Sequence, residues 1–474
     1  MDKTHSLSEK EVSLILEIFE DETNIFRFVL EDVSVWQVLR FYVAGRVQKL
    51  KWQKSTVSRM ELFLAVSRGF HFWKLISLRK KEYFVSSPYT GLRSKENDLY
   101  EDVWFDDLLQ TVSGGAKLVR LNSPGYSSRL SHMKVPYNYD TTFIYYLAAF
   151  MAKFFPIKKK SEIYYEVSQL VVKHLGLRQI SPRMVEKYFS KFLWLSRIYQ
   201  VLLFWTQPKA VIVVDTGELA LLHACKKSKI SFIEMQHGVF SKEHPRSLRI
   251  SELRYEKILL WPTSFAVYGD YWKQELAGTA LIQKGLVSVV GNSMVDRYKR
   301  IRDQRVTEKN GKISIVVTTQ AIEQIDLINF FKDFLRISSR DLNLTFKLHP
   351  SFDTSSGIYN ELAETDARVK IISGLEEPNT FYLISQSDFH ISVGSACHYD
   401  SLGVGTPTLV LKLEGYELMN KLISEGYAQL IESPTGLDDR MNEFANGNQS
   451  RSTKFEDICS HGFSDKMRAL IYSK

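Results

Sequence analysis

The stretch Asp388–Lys412, DFHISVGSACHYDSLGVGTPTLVLK, predicts a strand, a turn of small residues, a helix and a second strand. Its first and last runs are apolar and rich in β-branched residues, as strands are. Between them, Gly403, Gly405 and Pro407 are typical of a helix end before the next strand. A strand–helix–strand unit of this kind builds a parallel sheet covered by helices, so the stretch predicts an α/β fold.

The same alternation extends to both sides of this stretch. Further strands are predicted at residues 82–89, 116–122, 209–215, 230–238, 285–292, 312–319, 344–350 and 369–373. Helical periodicity is clearest at residues 143–155, 183–205, 326–335, 380–385 and 463–472. The pattern predicts two doubly wound Rossmann-like domains facing a cleft.

The chain has 474 residues, too many for one ordinary domain. We expect a helical basic N-terminal region over residues 1–81 and a first Rossmann-like domain over 82–262. A second Rossmann-like domain should cover 263–430, followed by a polar tail with a short helix over 431–474. The strand at 285–292 is assigned to the second domain.

Composition and charge limit the class of protein. With 44% hydrophobic and 24% charged residues, the chain is neither disordered, collagen-like nor a multi-span membrane protein. The net charge is +8, and ten Lys and Arg against the single acid Glu61 fall between Ala44 and Lys81. Aromatic residues alternate with these cations, which predicts a helix lying on an anionic membrane surface. The alternative is a helix packed on the next domain, and so local an excess disfavours nucleic acid as a partner.

The cysteines and the apolar segments give expectations about the cellular location of the protein. Three widely separated cysteines argue against a disulfide scaffold and a zinc site, and favour a reducing compartment. The acidic start resembles no secretory signal. The longest apolar run, Phe143–Phe155, is shorter than the ~20 residues of a membrane span. We expect a cytoplasmic protein that can be peripheral on the inner face of the cytoplasmic membrane.

Two strand ends in the second domain predict a phosphate site. His349 and Pro350 follow a strand directly, and Lys347 shares a strand face with His349. Gly394 and Ser395 lie where another strand meets a helix, so backbone N–H groups can approach an anion there. Together they predict a phosphate cradle. The alternatives are an ordinary turn histidine and simple helix capping by Ser395.

Strand ends in the first domain carry candidate general bases. Asp215, Glu218 or His237 could take the proton of an acceptor hydroxyl. The alternatives are helix capping for the two acids and a buried, hydrogen-bonded imidazole for His237. Gly291 is expected to allow close approach to a ligand or to serve a hinge. The chain has no Asp-x-Asp pair, Walker loop or Cys/His metal spacing, so we predict no metal site and a metal-independent mechanism.

In their order along the chain, strand-Asp215, QHG at 236–238, VGNSMVDR at 290–297, LHPS at 348–351 and SVGSACHYDSLGVGTP at 392–407 resemble a known group. This group is the bacterial GT-B glycosyltransferases of envelope and capsular polysaccharide synthesis. The likeness is to capsule β-Kdo transferases, bacterial sialyltransferases and CDP-glycerol glycerophosphotransferases, and it covers about Lys209–Lys412. The sialyltransferases have Asp-Asp-Gly or Glu-Asp-Gly where this chain has VDTGE.

The resemblance implies a GT-B fold whose first domain binds the acceptor and whose second binds the nucleotide sugar. His349 and Ser395 would hold the donor phosphate, and Asp215 or Glu218 would activate a surface-polysaccharide or lipid-linked glycan acceptor. It implies no cofactor beyond the nucleotide-sugar donor, CMP- or CDP-linked. Two alternatives remain: an isomerase like UDP-N-acetylglucosamine 2-epimerase, and a non-catalytic scaffold at the membrane surface.

Overall fold

The computed structural model describes most of the chain. The described residues are 7–49, 58–69, 72–88, 92–96, 99–120, 129–157, 161–214, 217–244, 246–305, 312–320, 324–350, 353, 357–374, 376–445 and 455–473. They form two large parallel sheets and two small antiparallel hairpins.

The first sheet has seven parallel strands. In chain order they are β1 (Tyr83–Pro88), β2 (Gly115–Arg120), β3 (Tyr139–Asp140), β4 (Ala210–Val213), β5 (Ser231–Met235), β6 (Ser264–Val267) and β7 (Val287–Val289). Their order in the sheet is β7-β6-β5-β4-β1-β2-β3. Successive residues of β1 face two different cores, with Phe84 on one side and Tyr83 and Val85 on the other. The sheet is therefore covered on both faces, as parallel sheets require.

The second sheet has six parallel strands. They are β8 (Ile313–Thr318), β9 (Leu342–Lys347), β10 (Val369–Ile372), β11 (Phe389–Ser392), β12 (Thr408–Leu411) and β13 (Gln429–Ile431). Their order is β10-β9-β8-β11-β12-β13. In the register of β8 and β9, Thr318 lies opposite Lys347.

Both sheets share the doubly wound strand order, in which the chain first builds outward on one side and then on the other. The reversal falls between β1 and β4 in the first sheet and between β8 and β11 in the second. Ligands of such sheets bind beyond the carboxyl ends of the strands at this reversal. The predicted fold class, two doubly wound Rossmann-like domains of GT-B type, is confirmed.

Helices cover the sheets. They are α1 (Glu9–Thr23), α2 (Val35–Val47), α3 (Arg59–Gly69), α4 (Phe72–Leu78), α5 (Asp106–Thr111), α6 (Thr142–Phe154), α7 (Ser161–Leu175), α8 (Pro182–Thr206), α9 (Leu219–Ser228), α10 (Asp270–Glu275), α11 (Ala280–Gln283), α12 (Ser293–Asp303), α13 (Gln324–Ile337), α14 (Gly357–Thr365), α15 (Thr380–Gln386), α16 (Cys397–Val404), α17 (Asn420–Ser424), α18 (Pro434–Ala445), α19 (Phe455–Ile458) and α20 (Phe463–Tyr472). None of those within the described ranges is long and apolar enough to cross a membrane.

Two segments join the domains. Helix α12 follows β7 and packs on α15 and α16 of the second domain. The chain then returns, because α20 lies in the core on one face of the first sheet. Asp296 of α12 ties this returning segment down by accepting hydrogen bonds from His461 Nδ1 at 3.0 Å and from the backbone N–H of Phe463 at 2.8 Å.

The structure corrects one strand assignment. The strand predicted at 285–292 is β7, and it pairs with β6 in the first sheet rather than the second. Sequence periodicity reports that a strand exists but not which neighbour its backbone will pair with. The change from one sheet to the other therefore lies between Val289 and Ile313. The N-terminal helices α1 and α2 also share a core with the first sheet.

Candidate functional site: a cleft between the two sheets

A cleft of about 320 Å³ opens between the carboxyl ends of strands from both sheets. Five of the predicted site residues line it: His237, Lys347, His349, Pro350 and Ser395. The strands bearing His349 and Ser395 are separated by β8, whose end adds Thr318, Thr319 and Gln320 to the same wall. The phosphate cradle was predicted from only two of these three strand ends.

The His349 loop is held by a carboxylate that the sequence analysis missed. The backbone N–H of His349 donates to Asp353 Oδ2 at 3.0 Å and to Thr319 Oγ1 at 3.2 Å. Asp353 also accepts from Gln324 Nε2 at 2.7 Å. The loop presses on Gly374, where a Cβ atom would lie 2.3 Å from Cα of Pro350. The imidazole is therefore carried on a backbone with little freedom to shift.

The side chain of Lys347 forms hydrogen bonds with the protein's own backbone. Its buried ammonium donates to the carbonyl of Ser373 at 2.8 Å and to the carbonyl of Glu376. Burial lowers the pKa of Lys347 to about 8, against the charges of Glu377 and Glu376, which act to raise it. Two of its three donors thus fix the loop after β10, and its predicted phosphate contact stays a prediction.

The Ser395 turn begins α16 at the cleft wall. Ser395 Oγ accepts from the backbone N–H of Cys397 at 3.2 Å, and its carbonyl accepts from the N–H of His398 at 3.2 Å. The hydroxyl thus binds the first backbone N–H of the helix, but the residue at the capping position is Ala396, which has no capping side-chain hydrogen bond. Ser395, Ala396 and Cys397 all line the cleft, so the start of the helix faces the space that the prediction assigned to a phosphate.

A buried chain of hydrogen bonds lies beneath this turn. It joins Thr318 Oγ1 to His390 Nε2 at 2.9 Å, His390 Nδ1 to Thr408 Oγ1 at 2.8 Å, Thr408 Oγ1 to His398 Nδ1 at 2.6 Å and His398 Nε2 to the Val393 carbonyl at 3.2 Å. Burial lowers the pKa of His398 to about 4 and that of His390 well below its usual range. Both imidazoles are therefore neutral at physiological pH.

Because both imidazoles are neutral, the donors and acceptors along this series of hydrogen bonds can be assigned in one order only. Because a carbonyl only accepts, His398 Nε2 carries its proton, and Nδ1 accepts from the Thr408 hydroxyl. Thr408 then accepts from His390 Nδ1–H, and His390 Nε2 accepts from Thr318. We call this chain the histidine relay. It connects a hydroxyl in the cleft wall to the backbone of the turn that precedes Ser395.

On the first domain's side, Gln236 fixes the loop that carries His237. The buried Gln236 amide donates to the Gly238 carbonyl at 2.7 Å and accepts from the backbone N–H of Tyr268 at 3.0 Å. His237 is exposed and lines the cleft, so the alternative of a buried histidine is wrong.

Glu218 is engaged outside the lining of the cleft. Its buried carboxylate forms an ion pair with Arg120 and accepts from Tyr145 Oη at 2.6 and 2.7 Å. Burial, joined by the charge of Glu218, raises the pKa of Tyr145 well above its usual range. Although Glu218 precedes α9, its side chain does not cap that helix. Asp215 lies outside the described residues.

The two predicted glycines contact the protein's own backbone. Gly291 has φ +91°, and a Cβ atom there would lie 2.0 Å from the Ser460 carbonyl oxygen. The expected close approach exists, but its partner is the returning C-terminal segment. A Cβ at Gly394 would lie 2.8 Å from the Gly415 carbonyl oxygen. Within the described residues, neither glycine lines the cleft.

The charged groups of the cleft are few. Carboxylates of Glu376, Glu377 and Asp400 line it beside His237 and His349, and no described lining residue is an arginine. No group of three His, Cys, Asp or Glu in the described part of the chain is arranged to hold a metal ion. The donors that this lining offers an anion are hydroxyls, amides, histidines, Lys347 and backbone N–H groups, and they lie beside three carboxylates.

Comparisons with known proteins give weak structural similarities. No protein-family model and no curated protein sequence matches the chain. It is similar to the UDP-GlcNAc 2-epimerase of Methanocaldococcus jannaschii, with 14% identity, a TM-score of 0.49, and coverage of 82% of this chain and 100% of that one. The wall teichoic acid polymerase TagF gives 10% identity, a TM-score of 0.46, and coverage of 88% and 98%. The MurG of Acinetobacter baumannii gives 9% identity, a TM-score of 0.43, and coverage of 82% and 97%. Values this low carry over no activity.

Proposed function

We propose that the chain is a glycosyltransferase that moves a sugar from a nucleotide donor to a surface-polysaccharide or lipid-linked glycan acceptor. The observation that carries this proposal is the convergence of the His349 loop and the Ser395 turn on one cleft, which His237 lines from the first domain. The two loops follow the strands on either side of β8, next to the strand-order reversal of the second sheet. Donors of this kind suit a phosphate, and a cleft between two domains suits two substrates.

The proposed reaction is a displacement at the anomeric carbon. The acceptor oxygen bonds to that carbon as the carbon–oxygen bond to the phosphate breaks, and the nucleotide leaves with the electron pair. His349, Ser395 and N–H groups at the start of α16 would stabilise the charge that develops on the departing phosphate. The proton of the acceptor would pass to a base, without a metal ion or cofactor taking part.

Three residues remain candidates for the base: Asp215, Glu218 and His237. The exposure of His237 to the cleft supports the imidazole. The ion pair of Glu218 with Arg120 favours a role in holding the first domain's strand ends together. Closure of the two domains would exclude water, which limits hydrolysis of the donor.

An epimerase acting on UDP-N-acetylglucosamine is the second candidate. The His-Pro loop is common to both proposals, but the Gly-Asn turn and Asp296 hold the C-terminal segment in this fold. Incubation of the protein with UDP-N-acetylglucosamine alone separates the two. An epimerised product without any acceptor would decide for the isomerase.

Nucleotide binding tests the site directly. In a thermal-shift screen with CMP, CDP, UDP and GDP, the correct nucleotide at 100 times its Kd should stabilise the protein by about 2.7 kcal/mol. His349→Ala should remove most of that shift because the imidazole contacts the phosphate in this proposal. His132→Ala, an exposed histidine outside the cleft lining, is the matched control. An unchanged response in His349→Ala would favour the scaffold alternative.

A further inference from the structure

Helix α6 presents aromatic residues on its outward side. Tyr146, Phe150 and Phe154 recur at every fourth position and are exposed, while Ile144 and Ala148 on the opposite side are buried. The rings of Phe150 and Phe154 pack together with centroids 4.6 Å apart. A helix that only covers a sheet would place polar residues at these outward positions.

Two neighbouring helices repeat this arrangement. The exposed apolar residues are Met60, Phe63 and Leu64 on α3, and Val201, Phe204 and Trp205 on α8. Helix α3 packs on α6, where a Cβ at Gly69 would lie 2.3 Å from Cβ of Phe143. Helix α8 packs along α6, with the rings of Tyr145 and Tyr199 in contact. We call the exposed apolar residues of α3, α6 and α8 the aromatic face.

Cations accompany the aromatic face. The Arg79 guanidinium lies 5.3 Å from the ring centroid of Trp205, and the Lys153 ammonium lies 5.2 Å from that of Phe154. Lys80 beside Arg79 is exposed. The sequences of α4 and α6, and of residues 187–206 in α8, contain no Asp or Glu. Helices α3, α6 and α8 together carry seven Lys and Arg against two acids, Glu61 and Glu186. Positive charge therefore predominates around the apolar residues.

We propose that the aromatic face docks on an anionic lipid surface. Aromatic rings that enter the interface and cations that meet lipid phosphates are the two contributions that hold a peripheral protein there. A second copy of this chain fits less well, because a symmetric contact would bring like charges together. The proposed docking surface includes α6 and α8 in addition to the basic region predicted at 44–81. These two helices follow that region by more than sixty residues in sequence.

The docked orientation suggests how an acceptor would reach the protein, and this part of the inference rests on the proposed function. Helix α6 follows β3 directly and starts at the carboxyl edge of the first sheet, where its Tyr145 contacts Glu218. A lipid-linked acceptor would therefore approach the first domain from the side on which the strands end. The docking itself needs no activity and can be measured separately.

Sedimentation with vesicles tests the docking. The full chain should bind vesicles of phosphatidylglycerol with phosphatidylcholine, and bind pure phosphatidylcholine at least about fivefold less for each cation engaged. The double variant Phe150→Ser with Phe154→Ser should bind at least about tenfold more weakly, because two rings no longer enter the interface. The matched control is Leu14→Ser with Ile18→Ser on α1, with the same spacing and 56% and 52% exposure against 54% and 56%.

Each outcome of these measurements supports or overturns the docking proposal. Failure of the full chain to sediment with the anionic vesicles, or equal loss in both double variants, would overturn the proposal. A dimer in analytical ultracentrifugation that Phe150→Ser with Phe154→Ser abolishes would instead make the face a contact between two copies. The nucleotide-induced thermal shift of every variant is recorded in parallel. A variant that keeps the cooperative thermal transition of the unchanged protein is folded, whether or not a nucleotide shifts that transition. If the nucleotide shift is also kept, loss of docking leaves the proposed function standing.

Discussion

At the residue scale, the histidine relay is the most informative arrangement in the second domain. Histidine inside a buried strand would be costly if its ring nitrogens lacked partners. Here Thr318 at the end of β8, Thr408 at the start of β12 and the Val393 carbonyl supply these partners, so two imidazoles can be buried under the turn before Ser395. The relay makes the position of that turn depend on groups that never reach the cleft.

Thr408→Val tests the relay. The substitution leaves Nδ1 of both histidines without a partner, and one such buried polar group costs about 1–3 kcal/mol. We expect lower stability in urea unfolding and about tenfold weaker nucleotide binding, because the turn loses its support. Thr345→Val, a buried threonine of β9 outside the relay, is the control. Equal losses in both variants would show that any Thr→Val change in this sheet has the same effect.

At the element scale, the His-Pro loop and the strand end after β10 form one unit. Pro350 packs on the backbone at Gly374, and Lys347 holds the following carbonyls. The loop that presents His349 is therefore shaped by a strand distant in sequence. The need for glycine at position 374 comes from space, since an added Cβ would meet backbone rather than a movable side chain.

Gly374→Ala should weaken nucleotide binding more than it weakens the fold. The added methyl forces Pro350 and His349 to move, and a small displacement of a phosphate contact is enough to lose it. We expect at least about tenfold weaker binding in the thermal-shift titration. Gly436→Ala in α18, where the nearest atom to the new Cβ is 3.5 Å away, is the control. Normal binding by Gly374→Ala would mean that the loop is not positioned by this contact.

At the scale of the whole molecule, Arg297 of α12 ties the connection between the sheets to the first domain. It donates to both oxygens of the buried Glu101 at 2.7 and 2.9 Å and also pairs with Asp107. Although burial acts to raise the pKa of Glu101, hydrogen bonds from Arg297 and Lys134 hold it below its usual value. The path between the sheets therefore begins on an anchored helix.

Arg297→Met should destabilise the fold because the buried Glu101 carboxylate loses the guanidinium that donates to both of its oxygens. Removing one member of a fully buried pair costs about 3–5 kcal/mol. Because Lys134 still donates to Glu101 at 3.0 Å, we expect a loss of at most about 3 kcal/mol in urea unfolding. Adding Glu101→Gln should recover part of the loss, since the uncompensated charge is then gone. A double variant no more stable than Arg297→Met would show that the charge of Glu101 is not the cause.

The sequence alone predicted the α/β class, the two doubly wound domains and most strands of both sheets, because β-branched apolar runs and helical periodicity are local properties. It also placed His349, Ser395 and His237 at strand ends, which are marked by turn residues, and these three residues line the cleft. A histidine within the apolar run FHIS was a signal for the relay, and a carboxylate four residues after His349 was one for its loop.

Only the tertiary structure decided how these residues are used. Strand pairing moved residues 287–289 into the first sheet, and packing turned the close approach at Gly291 toward Ser460. Lys347 and Glu218 were engaged by a distant loop and a distant arginine, and the three helices of the aromatic face came together. The physical reason is the same throughout: hydrogen bonds, ion pairs and close contacts depend on distances in space, and the order of residues along a chain does not contain them.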